Sequence, residues 1–242
     1  MKTYLLIFAL TCLLATTAQA DVPDKFTNLK VLPDDIGKQE LVEIMRGFSM
    51  GLGMRCTGCH EIKVPGDYDS IDWASDKHHE KDVARGMLKM TAEINGNLLP
   101  AATGEHDFQV RCITCHRGLH NPRTLDQVLL RTVEKDGADA AAKEYRNLRD
   151  EYYGAGSYDF SAGTLNQVAE TLAQEKQDPA SARLMAQLNL EMNPDDPTAR
   201  LLLAQLDLAD GRMEEARARI EKVLQDDPDN RHARRLQQQI GK

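Results

Sequence analysis

The sequence predicts an all-α fold made of two helical parts. In the first half, apolar residues recur at positions i, i+4, i+7 and i+11 in two separate segments, which is the spacing of one helix face. In the second half, a turn sequence recurs after 34 residues, at Pro194 and Pro228, among charged and alanine-rich segments. A period of this length is typical of stacked helical hairpins. Hydrophobic residues make up 41% of the chain, which is enough for packed cores in both parts.

The chain begins with a predicted secretory signal peptide over residues 1–20. Lys2 precedes an apolar run from Leu5 to Leu14, and a small-residue cleavage sequence of the A-x-A type stands before Asp21. No later apolar run is long enough to cross a bilayer. We therefore expect an exported, periplasmic protein with no transmembrane span.

Two Cys-x-x-Cys-His sequences contain the four cysteines that follow residue 20. They are Cys56-Thr57-Gly58-Cys59-His60 and Cys112-Ile113-Thr114-Cys115-His116. This spacing attaches a c-type haem through two thioether bonds and places the histidine on the iron. Two disulfides or one four-cysteine zinc site are the alternatives, but both leave the histidines without a role. The sequence therefore predicts two covalent haems, with Cys56, Cys59, Cys112 and Cys115 as attachment residues and His60 and His116 as axial ligands.

A predicted helix that carries methionine precedes the first motif. It is expected over residues 35–54, with its N-cap at Pro33-Asp34-Asp35. It should end near Gly51-Leu52-Gly53, where missing side chains would let the backbone and a porphyrin approach closely. Its apolar face consists of Leu41, Met45, Phe48 and Leu52. Met45 is thus the candidate for the sixth position of the first iron.

A second predicted helix precedes the second motif. It is expected to start at Ser75 or Asp76 and to stop at Asn95-Gly96, a typical C-terminal signal. A methionine stripe by itself is more often core filling than a ligand set. Here the second iron needs one ligand, but spacing alone does not choose between Met87 and Met90. The apolar face of this second predicted helix consists of Val83, Met87, Met90 and Ile94.

Residues from about 29 to 118 resemble a two-haem unit of the cytochrome subunit of photosynthetic reaction centres. The resemblance implies that each helix supplies a methionine to the haem attached just after it, which by motif position means Met45 and Met87. That subunit carries four haems, whereas this chain has two motifs. In the family a loop histidine ligates a further haem, so His106 in that loop is an alternative ligand here. The matching stretches are Leu41-Val42-Glu43-Ile44-Met45-Arg46, Leu52-Gly53-Met54-Arg55-Cys56, Ala84-Arg85-Gly86-Met87-Leu88-Lys89-Met90-Thr91-Ala92-Glu93-Ile94-Asn95 and Cys112-Ile113-Thr114-Cys115-His116-Arg117-Gly118.

The chain after residue 122 is predicted to form a separate helical domain. Ala182 and Ala216 repeat on the same offset as the two prolines, and residues from about 164 to 239 resemble tetratricopeptide repeats. One more helix pair is expected over residues 124–153. Such stacks bind proteins or peptides on a concave face; the alternative is a tail that packs on the haem unit and stabilises it. The predicted segments are a signal peptide over 1–20, a dihaem cytochrome domain over 21–122 and a tetratricopeptide-like domain over 123–242.

These features predict an exported dihaem c-type cytochrome that transfers electrons between periplasmic redox proteins, with the tail used for docking or assembly. No obvious acid–base group accompanies either motif, which favours an electron carrier over a catalyst. The alternatives are a haem enzyme or sensor with an open axial position for peroxide, nitrite or a gas, and a structural subunit of a multihaem assembly. The net charge of −8 argues against a nucleic-acid partner. Redox proteins, and a second copy of the chain, are the expected partners.

Overall fold

A computed structural model describes residues 22–105 and 107–240. The predicted signal peptide and His106 lie outside the described residues. The described chain is helical almost throughout, which confirms the predicted all-α class; its single sheet is a ribbon of two short strands. Among the described residues, no helix combines the length and the apolar character that a membrane span requires. The chain divides into an N-terminal unit that ends at His120 and a C-terminal unit that starts at Asn121.

The N-terminal unit contains both Cys-x-x-Cys-His motifs. Its two strands pair antiparallel, with Ile62 opposite Ile71. Its elements in order are α1 (Lys38–Leu52), a 3-10 turn (Cys56–Gly58), β1 (Glu61–Ile62), a second 3-10 turn (Tyr68–Ser70), β2 (Ile71–Asp72), α2 (His79–Glu93), a π-helical segment (Ile94–Leu98), α3 (Leu99–Thr103) and α4 (Cys112–His116).

Helix α1 is shorter than predicted at both ends. The predicted N-cap at Pro33-Asp34-Asp35 is wrong, because the amide of Ile36 donates to the carbonyl of Pro33 (3.2 Å) and closes a turn before the helix. Gly37 precedes the first helical residue in an extended conformation. The helix ends where Gly53 adopts φ 64°, a left-handed conformation that glycine adopts without steric cost.

Helix α2 starts later and continues further than predicted. It begins at His79 because the side chains expected to cap it have other partners. Ser75 Oγ donates to Glu61 Oε2 (2.9 Å), and Asp76 forms ion pairs with Lys30 and Arg85. The predicted stop at Asn95-Gly96 is also wrong. The chain stays helical through the π-helical segment and α3, and ends at Gly104 with φ 71°.

The C-terminal unit is a stack of helical hairpins with its own core. The helix pair expected over residues 124–153 is present as the first two helices, and Gly154 and Gly156, both with positive φ, separate it from the next. The side chain of Asp196 accepts from the amide of Ala199 (2.7 Å) at the start of one helix, and Asn230 accepts from Ala233 (3.0 Å) at another. The helices are α5 (Leu125–Asp136), α6 (Ala138–Tyr152), α7 (Ala162–Gln174), α8 (Pro179–Met192), α9 (Pro197–Ala209), α10 (Met213–Asp226) and α11 (Arg231–Ile240).

Candidate haem sites

The first motif lies at the edge of a cavity in the N-terminal unit. The 3-10 turn closes it locally, because the amides of Cys59 and His60 both donate to the carbonyl of Cys56 (3.1 and 2.9 Å). The cavity has a volume of about 530 Å³ and its walls include Met45, Cys56, Cys59 and His60. A cavity of this size, with mostly apolar walls, is in the range that cofactors occupy. The structure thus brings together the four residues that the sequence assigned to one haem.

The imidazole of His60 is held in its neutral form. Its ring packs edge-on against Trp73, with 4.9 Å between ring centroids. Burial, and then the positive charge of Lys81, lowers the pKa of His60 to about 4, against a smaller opposing effect of the Trp73 backbone. A metal ligand must be the neutral imidazole. Nδ1 of His60 is buried and has no hydrogen-bond partner among the described residues, which fits a ring that is completed by a bound group.

One wall of the cavity is an irregular stretch that precedes α1. Most residues of 22–32, here called the wall segment, line it together with residues of α2. Asp76 fastens this segment: its carboxylate accepts from Asn28 Nδ2 (2.9 Å) and Lys30 Nζ (2.5 Å). Arg85 on α2 donates to the same carboxylate (2.7 Å), and these donors, Arg85 first, hold the pKa of Asp76 far below its usual range. Sequence analysis missed this wall, because its residues have neither periodicity nor a motif.

The second motif is carried by α4, and its histidine is oriented for metal binding. The amide of Arg111 donates to Thr114 Oγ1 (3.0 Å), which closes the first turn of α4. His116 Nδ1 lies 2.9 Å from the carbonyl oxygen of Leu119. Because a carbonyl only accepts, Nδ1 carries the proton and Nε2 keeps its lone pair for a metal. This hydrogen bond to the backbone is the arrangement that orients metal-bound histidines.

The glycines at the end of α1 admit the second motif. A Cβ atom on Gly51 would lie 2.9 Å from Cys112 Cβ, and one on Gly53 would lie 2.1 Å from the carbonyl oxygen of Gly118. The amide of Gly118 donates to the carbonyl of Gly51 (2.9 Å). These glycines therefore give room to the backbone of the second motif, whereas their approach to a porphyrin stays a prediction.

Helix α2 contributes to the cavity of the first motif through Ala84, Arg85 and Leu88. Met87 and Met90 do not line that cavity and are 40% and 47% exposed. The structure leaves these two methionines as alternatives. Other large apolar side chains of this unit are also exposed, among them Val83, Leu98, Phe108 and Ile113.

The scarcity of buried apolar side chains also indicates a bound group in this unit. Among its described residues, four apolar side chains are buried, namely Ile36, Leu41, Ile71 and Leu119. The C-terminal unit, of similar length, buries a cluster that extends over five helices, α5 to α9. A large apolar cofactor held between α1, α2 and the motifs would complete the smaller core.

The four cysteines are unpaired and do not converge. None of Cys56, Cys59, Cys112 and Cys115 forms a disulfide. No three cysteine, histidine or acidic residues of the described chain are grouped as a metal site. The geometry therefore does not build the zinc site or the disulfides weighed from the sequence, and each motif stays a separate site.

Comparison with known proteins adds the family context. A family model described as photosynthetic reaction centre cytochrome C subunit matches residues 13–187, and a tetratricopeptide repeat model matches residues 173–240. The chain is 31% identical over 101 residues to the photosynthetic reaction center cytochrome c subunit of Roseobacter denitrificans, covering 41% of this chain and 26% of that protein. It is 28% identical over 94 residues to cytochrome c-554 of Chloroflexus aurantiacus, covering 39% of this chain and 21% of that protein. It thus spans about a quarter of the first relative and a fifth of the second. No solved structure matches the chain significantly.

Proposed function

This chain belongs to the family of photosynthetic reaction centre cytochrome c subunits, and we propose that it is an exported electron carrier with two covalently bound haems. The two resemblances expected from the sequence are confirmed, because the family model covers both motifs and the tetratricopeptide model covers residues 173–240 of the tail. The chain is accordingly a c-type cytochrome of electron transfer that ends in helical repeats. The number of haems, their ligands, the cellular location and the use of the tail are what we propose.

The observation that carries the proposal is the cavity whose walls include Met45, Cys56, Cys59 and His60. Two thiols, one imidazole and one thioether are the groups that a single covalent haem requires from the chain. When bound, the haem supplies a one-electron iron couple, and methionine ligation raises its potential relative to two histidines. The chain keeps His60 neutral, and the wall segment and Trp73 line the cavity beside it.

The second haem is assigned to Cys112, Cys115 and His116. The hydrogen bond from His116 to Leu119 supports this assignment, because it leaves Nε2 available. Met87 and Met90 do not line the first cavity and are both exposed, which leaves either sulfur as a candidate for the second haem. We assign Met87 by motif position, with Met90 and His106 as the alternatives.

The location and the tail complete the proposal. The predicted signal peptide over 1–20 would place the chain in the periplasm, where its cytochrome domain (21–122) would exchange electrons with redox proteins. The tail (123–242) would dock a partner or a second copy, since helical repeats commonly present protein-binding surfaces. Its separate core supports a domain that can serve as a docking module.

Redox titration of matched cysteine variants tests the two-haem assignment. The wild type should titrate as two one-electron components. Replacing Cys56 and Cys59 by alanine should remove one component, and replacing Cys112 and Cys115 should remove the other. Met50→Ala serves as the control, because Met50 is 73% exposed and does not line the cavity. A single component in the wild type, or two components that survive in both cysteine variants, would contradict the proposal.

A further inference from the structure

The helix that carries Met87 and Met90 contains a π-helical turn just beyond them. Leu99 N donates to the carbonyl of Ile94, five residues earlier, in place of the usual four. Thr91 Oγ1 lies 3.0 Å from the carbonyl oxygens of both Met87 and Leu88, one turn before this segment. A π turn is rare and costs stability relative to a regular α turn, so it persists where the surrounding structure compensates.

The compensating contact is made by Asn95. Its Nδ2 donates to the carbonyl of Val110 (2.8 Å), and its Oδ1 accepts from the amide of the same residue (2.8 Å). One half-buried carboxamide therefore satisfies both backbone groups of Val110. Asn95 does not end the helix; its side chain instead forms hydrogen bonds with Val110, 15 residues later in the sequence.

Val110 leads directly into the second motif. Arg111 follows it as the N-cap of α4, and Cys112 is the first helical residue. Beyond α4, the motif is held by α1, through the contact between Gly51 and Cys112 and the hydrogen bond from Gly118 to Gly51. The second motif is thus held against α1, while Asn95 binds Val110, just before the motif, to the helix that carries Met87 and Met90.

We propose that Asn95 is a positioning residue for the second haem: it sets the height and rotation of α2 against the attachment motif and so delivers a methionine sulfur to the iron. This inference rests on the proposed function, since it takes the motif at Cys112 as a haem site. Met87 and Met90 lie one to two turns before Asn95 on the same continuous helix. The contact between Asn95 and Val110 therefore fixes the helix that carries both methionines against the residue that leads into the second motif, and does not choose between them.

The expected effect of removing the contact is specific to one haem. Without the carboxamide, Val110 loses both of its hydrogen bonds to the π-helical segment that continues α2, and the loop before α4 can move relative to the methionines. Methionine binds the reduced iron more tightly than the oxidised iron, so looser positioning weakens the sulfur bond and lowers the potential of that haem. The first haem, whose ligands lie on α1 and the first motif, keeps its potential.

The test compares Asn95→Ala with two matched variants. Asn97→Ala is the control, because Asn97 lies in the same π-helical segment but donates to Glu93 (2.8 Å) and not to Val110. Asn95→Asp keeps an acceptor for the Val110 amide and loses the donor. All three are measured by intact mass, by redox titration and by the near-infrared sulfur-to-iron band.

We expect Asn95→Ala to keep both haems, to lower one potential and to weaken at most half of the band. If methionine loses a factor of ten in its preference for the reduced over the oxidised iron, the reduction potential of that haem falls by about 59 mV for one electron. Asn95→Asp should lie between the alanine variant and the wild type, and Asn97→Ala should match the wild type. Unchanged potentials in Asn95→Ala would overturn the inference while leaving the two haems in place. If Asn95→Ala fails to mature, a wild-type potential in Asn95→Asp would overturn it as well. One haem in the wild type would instead refute the proposed function.

Discussion

Gly53 offers a sharp test of how α1 and the second motif fit together. In Gly53→Ala, the new methyl group would stand 2.1 Å from the carbonyl oxygen of Gly118, at a backbone φ of 64°. The left-handed conformation alone costs an alanine roughly 1–2 kcal/mol. Forcing two backbone segments apart adds roughly 1–3 kcal/mol, and loss of the hydrogen bond from Gly118 to Gly51 adds about 1 kcal/mol. We expect a total destabilisation of roughly 3–6 kcal/mol from these terms.

The assay uses the chain's single tryptophan, which lies in the haem cavity of the N-terminal unit. A haem bound in this cavity would quench the fluorescence of Trp73 in the folded state, so denaturant unfolding of this unit could be followed separately from the tail. Gly47→Ala is the matched control, because a Cβ atom there meets nothing within 4 Å. It should stabilise α1 by up to about 1 kcal/mol through helix propensity. A Gly53→Ala protein as stable as the wild type would refute the close contact between α1 and the second motif.

Three further changes test the haem cavity and the tail. Met45→Ala should lower the potential of one haem and remove half of the near-infrared sulfur-to-iron band, whereas Met50→Ala should change neither; equal spectra for the two variants would remove Met45 as a ligand. Asp76→Ala should free the wall segment, detected as faster proteolysis before α1. Since the folded-state pKa of Asp76 is depressed, the stability that this carboxylate contributes is complete above its unfolded pKa of about 3.9 and is lost only at lower pH. Resistance of the wall segment to proteolysis that already falls at pH 6 would contradict the role of Asp76. Asp207→Ala leaves its three arginine partners without their shared carboxylate and should destabilise the tail by roughly 3 kcal/mol; Glu214→Ala, which breaks one exposed ion pair, should cost under about 1 kcal/mol, and equal melting of the two variants would show that the buried cluster is unimportant.

The pKa of Asp207 illustrates why the tail depends on this cluster. Burial raises the pKa of this carboxyl, but hydrogen bonds from Arg219, Arg183 and Arg212 outweigh it and hold the pKa below the ordinary value. The ionised form is thus the folded form, and the stabilisation is lost as the pH falls through the depressed pKa. The cluster links α8, α9 and α10, so it ties one hairpin of the stack to the next.

Local patterns predicted the helices of both units, although the ends of α1 and α2 differ from the prediction. Three of the four residues in the stripe through Met45 line the cavity, namely Leu41, Met45 and Phe48, because one face of a helix repeats with a fixed period. A repeat of 34 residues, from Pro194 to Pro228, found the tail. In both cases the information is a regular spacing along the chain, which can be read without knowledge of the fold.

Long-range contacts account for what the sequence did not reveal. Asn95 looked like a helix stop, yet its partner Val110 lies in a loop that no local pattern links to it. Gly51 and Gly53 were correctly identified as sites of close approach, but only the fold shows that the approaching backbone is Cys112 and Gly118. Met87 and Met90 remain a choice, because both lie on the same exposed face of α2.

The two-haem composition is the central claim, and the intact mass of the exported protein measures it most directly. The account predicts a chain cleaved after residue 20 whose mass exceeds that of the polypeptide by two haems, unchanged after denaturation because both are covalently bound. Replacing Cys112 and Cys115 by alanine should reduce the excess to one haem. A wild-type mass with a single haem, or a haem-free chain, would contradict the account.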